Sequence, residues 1–185
     1  MTTQEFWKPA LNSTSVIVFL PTKDTNPNCF VKVKCAFFRN KLNGKRFFER
    51  TPNTIGLPCP MYEKMKDQKT YHELTGEWSE IGITSRYIAN ILVLSDAENH
   101  ENDGKVFKFE FSNSLLNSVN KNGYNPVIIK KEPYQQNYFQ VTISSTNFQC
   151  NLKDAIHKSY DLNEELHQSK FKSYEELKDL FNTVY

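Results

Sequence analysis

Hydrophobic and polar residues alternate in several short segments of this chain, a pattern typical of strands with one buried face. The clearest case is KVFKFEF at 105–111, where Phe107, Phe109 and Phe111 occupy every second position. We expect these three rings to pack inside a sheet. Similar segments, bounded by Gly, Pro, Asn and Asp, predict seven strands at 15–20, 30–38, 45–50, 87–94, 105–111, 126–131 and 138–145.

Helical patterns are fewer than strand patterns. A short helix is predicted after Pro60, and a second after Ser112. A third lies in KSYEELKDLF near the C-terminus, where Ser173 and Glu176 have the spacing of a capping box. Many short strands with a few helices predict a mostly β fold, an OB-fold-like antiparallel barrel with peripheral helices.

Length and composition favour one compact domain, because 185 residues with 38% hydrophobic content can bury one ordinary core. The sequence has no run of eighteen apolar residues, and MTTQEFWKPA lacks the features of a signal peptide. We therefore expect an intracellular protein. Its cysteines form no C-x-x-C pair and are expected to be reduced thiols; they are Cys29, Cys35, Cys59 and Cys150.

The charge of the chain is unevenly distributed. The net charge is only +2, but residues 30–50 carry seven basic residues against the single acidic Glu49. The basic residues of this segment are Lys32, Lys34, Arg39, Lys41, Lys45, Arg46 and Arg50. Such a segment is typical of a polyanion-binding surface, and equally of a solvated strand edge on which lysines prevent aggregation.

Aromatic residues favour the polyanion interpretation. They make up 14% of the chain, and many stand beside charges or in polar segments: Phe37, Phe38, Phe47, Phe48, Tyr62, Tyr71, Trp78, Tyr87 and Phe148. A basic groove lined with rings suits single-stranded nucleic acid, because cations bind its phosphates and rings stack on its unpaired bases. The alternative is that many of these rings belong to the core.

Sequence motifs for catalysis and for metal binding are missing. The chain has no G-x-S-x-G, no phosphate-binding loop and no H-E-x-x-H, and its four histidines lack ligand spacing. The acidic loop at 95–103, just before Gly104, only partly resembles a calcium loop, and it is followed by a strand pattern where an EF-hand has a helix. These observations predict a protein that is not an enzyme.

Three segments carry a resemblance to a known family. The segment SRYIANILVLSDAENHENDGKVFKFEF at 85–111 resembles the most distinctive part of the T-even-type bacteriophage single-stranded DNA-binding (helix-destabilising) proteins. Near the start, WKPALNSTSVIVFLPTK at 7–23 is similar to that family's W-K-x-x-x…V-I-R-F-L-P-S-K. Near the end, KFKSYEEL at 170–177 is close to its K-F-K-S-F-E-E-L. The three segments agree with the family in order and spacing.

The resemblance implies a domain organisation and a function. Residues 1–185 would form a single OB-fold-like core for binding single-stranded DNA, with a small extra subdomain at about residues 45–80. The protein would coat and protect single-stranded DNA without sequence preference during phage DNA replication, recombination and repair, in the cytoplasm of the host cell. An OB-type module for protein–protein interaction and a single-stranded RNA binder remain the alternatives.

In the family, a histidine and three cysteines hold a structural zinc ion, and the last two cysteines lie in C-P-x-C. This chain keeps Cys59 of that motif, but Tyr62 replaces the final cysteine and Thr51 stands at the first cysteine position. Cys35 lies near the histidine position. Because structural zinc needs four nitrogen or sulfur ligands, we expect a zinc-less subdomain and no cofactor.

The resemblance also implies DNA-binding residues. The rings that line the family's DNA cleft correspond to Tyr71, Trp78 and Phe148, and Arg86 and Tyr87 end the strand that reaches this cleft. A basic triplet of the family is replaced by residues 82–84, so we expect the basic segment to substitute for it. The predicted DNA-binding set is Lys32, Lys34, Arg46, Tyr71, Trp78, Arg86, Tyr87, Lys105 and Phe148.

Two appendages of the family have no counterpart in these 185 residues. One is the basic N-terminal arm for cooperative self-association, and the other is the acidic C-terminal tail that recruits replication proteins. We therefore expect weak or no self-association without DNA. Phage replication and recombination proteins remain possible partners.

Overall fold

The computed structural model describes eight segments of the chain, and the account below is confined to them: residues 6–21, 30–39, 46–63, 81–122, 126–131, 139–143, 152–168 and 171–182. The strands are β1 (Thr14–Leu20), β2 (Phe30–Arg39), β3 (Arg46–Arg50), β4 (Ile81–Asp96), β5 (Val106–Ser112), β6 (Val127–Lys131) and β7 (Phe139–Ile143). The helices are α1, described over 60–63, α2 (Asn113–Asn122), α3 (Leu152–His157), α4 (Leu162–Gln168) and α5 (Tyr174–Asn182).

The seven strands form one sheet. Its order is β3-β2-β4-β1-β6-β7, and β5 also pairs with β4. The pairs β1–β4, β1–β6, β2–β3 and β6–β7 are antiparallel. The predicted mostly β, OB-like fold with peripheral helices is therefore confirmed. No helix in the described segments is long and apolar enough to span a membrane.

The chain divides into two compact units, and β2 and β4 each contribute to both. Unit 1 comprises Met1–Val31 and Tyr87–Glu164, and unit 2 comprises Lys32–Arg86 and Glu165–Tyr185. The subdomain predicted at about residues 45–80 falls within unit 2. This unit also takes in most of β2, the start of β4 and the C-terminal helix α5.

The core of unit 1 is built from the alternating strand positions. Phe109 and Phe111 on β5 are each 1% exposed, and Phe107 is also buried, which confirms the prediction for these rings. Trp7 packs edge-on against Phe109 with ring centroids 5.1 Å apart. The apolar positions of α2 complete this core; they are Leu115, Leu116 and Val119.

A buried lysine was not predicted. Lys108 lies on β5 between the inward-facing rings in sequence, yet its residue is only 5% exposed. Its ammonium lies 4.8 Å from the ring centroid of Phe6 and 5.0 Å from that of Tyr160. These two rings shield its charge by cation–π contact.

A second buried polar group connects two distant parts of unit 1. Asn90 on β4 is fully buried, and its amide Nδ2 donates to the backbone oxygen of Tyr160 at 2.8 Å. Its Oδ1 accepts from the backbone N–H of Tyr160 at 3.0 Å. The Asn90 side chain thus pairs with both the N–H and the C=O of Tyr160, which lies shortly after the end of α3.

The core of unit 2 is a smaller apolar cluster. Ala36, Cys59, Met61 and Leu177 are buried in it, and three half-buried residues pack against them, namely Phe47, Tyr62 and Leu180. Leu177 lies on α5, so this helix closes one side of the cluster. The capping box predicted for α5 is confirmed, because Ser173 N–H donates to Glu176 Oε2 at 2.7 Å and Glu176 N–H donates to Ser173 Oγ at 3.2 Å.

Candidate nucleic-acid interface

The basic segment at 30–50 falls on the β2–β3 pair of strands. Lys32 is exposed and Lys34 is half-buried. The Lys34 ammonium lies 5.5 Å from the ring centroid of Tyr62, a residue of the unit 2 cluster. Because Lys32 and Lys34 are two residues apart and are followed by Ala36 of the same cluster, all three belong to one face of β2.

The backbone of Lys34 is held firmly by the turn that follows β3. Thr51 N–H donates to the Lys34 oxygen at 2.9 Å. The Lys34 N–H in turn donates to Thr54 Oγ1 at 2.9 Å. These bonds fix the base of a cationic side chain whose position is also restrained by Tyr62, so Lys34 presents a preorganised charge.

Arg46 and Arg86, also predicted to bind DNA, both belong to unit 2. Arg46 begins β3 and pairs in the register with Arg39, at the end of β2. Arg86 lies on β4, within a half-buried stretch that extends from Gly82 to Arg86. Sequence analysis began this strand only at Tyr87, whereas the structure begins it at Ile81.

The structure places Tyr87 in the core of unit 1, where it is 7% exposed. Its ring stacks on Phe111 with centroids 5.9 Å apart and meets Phe30 edge-on at 5.3 Å. Its hydroxyl donates to Asn113 Oδ1 at 3.1 Å. A base could stack on this ring only after that packing had opened, and the assignment of Tyr87 to the DNA-binding set stays a prediction.

Lys105 is exposed beside the acidic loop that joins β4 to β5. Its N–H donates to the oxygen of Asn102 at 3.1 Å, and its oxygen accepts from Val93 N–H at 3.0 Å. The preceding Gly104 has φ +75°, which favours glycine, and its N–H donates to the Val93 oxygen at 2.8 Å. The loop therefore fixes the backbone from which the Lys105 side chain extends.

The acidic loop is organised by one buried carboxylate. Asp96 Oδ2 accepts from Trp7 Nε1 at 3.0 Å and from Asn102 Nδ2 at 2.8 Å. Burial alone would raise the pKa of the Asp96 carboxyl, but these bonds and those from the N–H groups of Glu98 and Asn99 outweigh it and lower the pKa. Asp96 is thus a structural anion that ties the N-terminal segment to the loop.

Three of the predicted site residues lie outside the described part of the chain. They are Tyr71, Trp78 and Phe148. Their assignment as base-stacking rings stays a prediction.

Two of the positions that correspond to the family's zinc ligands, Cys59 and Tyr62, belong to the apolar cluster of unit 2. Cys59 is 3% exposed beside the fully buried Met61 and Leu177. Burial raises the pKa of the Cys59 thiol. The Thr51 hydroxyl is used in a 2.6 Å hydrogen bond to Asn53 Oδ1.

This set of side chains does not fit a tetrahedral zinc ion. Tyr62 supplies a ring to the cluster where the family has a ligand. Across the described segments, no three His, Cys, Asp or Glu side chains are grouped as metal ligands.

Comparisons with known proteins agree with the resemblance found in the sequence. A family model described as gp32 DNA binding protein like matches residues 11–132. The chain is similar to two proteins named single-stranded DNA-binding protein, from Enterobacteria phage T4 and Enterobacteria phage T2. Each is 29% identical over 211 residues, an alignment that covers 96% of this chain and 69% of the relative. Because the family model matches well over half of the 185 residues, the chain belongs to the gp32-like DNA-binding protein family.

Proposed function

We propose that this protein binds single-stranded DNA without sequence preference and coats it during phage DNA replication, recombination and repair. The observation that carries the proposal is membership of the gp32-like family, together with relatives named for single-stranded DNA binding. The cations at Lys32, Lys34 and Lys105, set on hydrogen-bonded backbone, are suited to phosphate contacts.

The protein would act without catalysis. A protein that binds the unpaired strand and leaves the duplex unbound shifts the melting equilibrium towards single strands by mass action. Arg46 and Arg86 would add phosphate contacts, while Tyr71, Trp78 and Phe148 would stack on bases. We further propose that it works in the host cytoplasm, associates weakly with itself in the absence of DNA, and meets replication and recombination proteins there.

The proposal is tested by titrating the purified chain with three labelled ligands: oligo(dT), a matched duplex and oligo(U). We expect tightest binding to oligo(dT), weak binding to the duplex, and an affinity that falls with added salt because phosphate binding releases counterions. Weak binding to oligo(dT) that does not depend on salt would contradict the proposal and favour a protein-interaction module.

Charge removal gives a more specific prediction. Lys34→Gln should lower the affinity for oligo(dT) and flatten the plot of log affinity against log salt by about 0.7, the contribution of one phosphate contact on a single strand. The matched control is Lys153→Gln, an exposed lysine of α3 outside the basic segment. Equal salt slopes for the two variants and the parent would show that Lys34 does not contact a phosphate.

We also propose that unit 2 folds without zinc. Its support is the apolar packing of Cys59, Met61 and Tyr62 against α5 at the positions of the family's metal site. Treatment with a strong chelator should leave the melting temperature unchanged. One tightly bound zinc ion per chain by elemental analysis, with a fall in melting temperature on chelation, would refute this.

A further inference from the structure

Two exposed phenylalanines lie side by side on the β2–β3 strands of unit 2. Phe37 pairs directly with Phe48 in the antiparallel register. Side chains that are directly opposite on neighbouring strands share one face of the sheet and lie within about 5.5 Å at their Cβ atoms. Phe37 is 45% exposed and Phe48 is 52% exposed, so the pair leaves much of two aromatic rings in contact with solvent.

This face is opposite to the one that forms the core of unit 2. Ala36 precedes Phe37 on β2, and Phe47 precedes Phe48 on β3; both belong to the buried cluster with Met61 and Leu177. Because successive residues of a strand alternate between faces, the core is built on one side and the Phe37–Phe48 pair lies on the other. The exposed rings are therefore not part of that core.

Gly82 on β4 helps to place the Phe37 ring. The tip of that ring, atoms Cζ, Cε1 and Cε2, fills the space in which a side chain at position 82 would begin. Any larger residue there would displace the ring. The family carries a basic triplet at the positions of residues 82–84, and this chain has no cation there. The Phe37 ring instead covers the first of these positions, Gly82.

Basic residues share the face with the two rings. Cys35 pairs with Arg50 and Arg39 pairs with Arg46, two positions to either side of the Phe37–Phe48 pair. By the two-residue period, positions 46 and 50 belong to the same face as Phe48. The Arg50 guanidinium is 3.7 Å from Glu165 and keeps 29% of its side chain exposed. Lys32 and Lys34 belong to the opposite face of β2.

We propose that Phe37 and Phe48 form a base-stacking platform for single-stranded DNA, flanked by arginine positions that hold the phosphates. This inference rests on the proposed function and adds two rings to it that the family resemblance does not assign. Exposed rings flanked by cations are the combination by which single strands are bound without sequence preference. The basic positions on this face, Arg39, Arg46 and Arg50, favour a polyanion over a second copy of the same face.

The test uses Phe48 because its side chain is the more exposed of the two. Phe37 packs against Gly82, so changing it would also disturb β4. Phe48→Leu keeps an apolar side chain but removes the ring, Phe48→Tyr keeps the ring, and Leu57→Ala removes a 53% exposed apolar side chain elsewhere in unit 2. Each variant is titrated with oligo(dT) and with an oligomer of equal length that carries abasic sites in place of the bases. Circular dichroism and the melting temperature establish that each is folded.

We expect Phe48→Leu to bind oligo(dT) roughly tenfold more weakly than the parent, the loss of one stacked base. It should bind the abasic oligomer as the parent does, with an unchanged salt slope. Phe48→Tyr and Leu57→Ala should bind both ligands like the parent.

Several results would overturn the platform. One is parental affinity of Phe48→Leu for oligo(dT), and another is an equal loss on both oligomers, which would indicate a structural role for the ring. A third is a change confined to self-association, measured by sedimentation, which would make the face a contact between copies of the chain. Failure of the parent itself to bind oligo(dT) would instead refute the proposed function.

Discussion

Replacing Leu177 with alanine should lower the free energy of unfolding by about 2–5 kcal/mol, the range for large-to-small changes at fully buried positions. Leu177 has no exposed surface and lies on α5 against Ala36, Cys59 and Met61. The cavity left behind would open at the centre of the small cluster of unit 2. Urea unfolding followed by circular dichroism measures the effect.

The matched control is Lys178→Ala, the next residue of the same helix, whose side chain is exposed. It should change stability by no more than about 0.5 kcal/mol, as surface substitutions usually do. If the urea midpoints of both variants were close to that of the parent, packing by α5 would not be needed to stabilise unit 2. The apolar cluster would then fail as the substitute for a metal site.

The strand pattern was predictable because it depends on local alternation. Phe107, Phe109 and Phe111 were assigned to the core from their spacing alone, and the structure buries all three. The capping box of Ser173 and Glu176 was equally predictable, since both partners lie within one helical turn. Signals of this kind need no knowledge of tertiary contacts.

The features that sequence analysis missed depend on distant contacts. Helices α3 and α4 are short, and among the six residues of α3 only Ala155 is buried, so their periodicity is too weak to detect. The start of β4 contains Gly82 and few alternating apolar residues. Lys108 is buried because two rings from other segments cover it.

The candidate site was predicted in composition but not in geometry. The excess of cations at 30–50 is visible in the sequence, yet which basic residues of β2 and β3 share a face depends on the register that pairs Phe37 with Phe48. Tyr87 was placed at the end of the strand that reaches the DNA cleft because of the family resemblance, and its burial was not foreseen. In the structure β4 starts at Ile81, and Tyr87 points into a core completed by Phe30 and Phe111.

Replacing Asn90 with leucine should also lower the free energy of unfolding strongly, by about 2–6 kcal/mol. The Asn90 side chain is buried, donates to the Tyr160 oxygen and accepts from the Tyr160 N–H. Leucine has a similar size but cannot make either bond, so two backbone groups lose their partner at about 1–3 kcal/mol each. The change should therefore act through hydrogen bonding and not through lost volume.

Asn90→Asp separates the two bonds, because a carboxylate still accepts from the Tyr160 N–H but no longer donates to its oxygen. We expect urea unfolding to place its stability near that of the parent at a pH where the carboxyl is protonated, since the acid form regains a donor, and below that of the parent at a pH where the carboxyl is ionised. Amide hydrogen exchange at Tyr160 supplies an independent measurement: it should accelerate in Asn90→Leu more than at Phe109 in the core. Parental stability of Asn90→Leu, with unchanged exchange at Tyr160, would show that the bond pair does not hold the segment after α3 to β4.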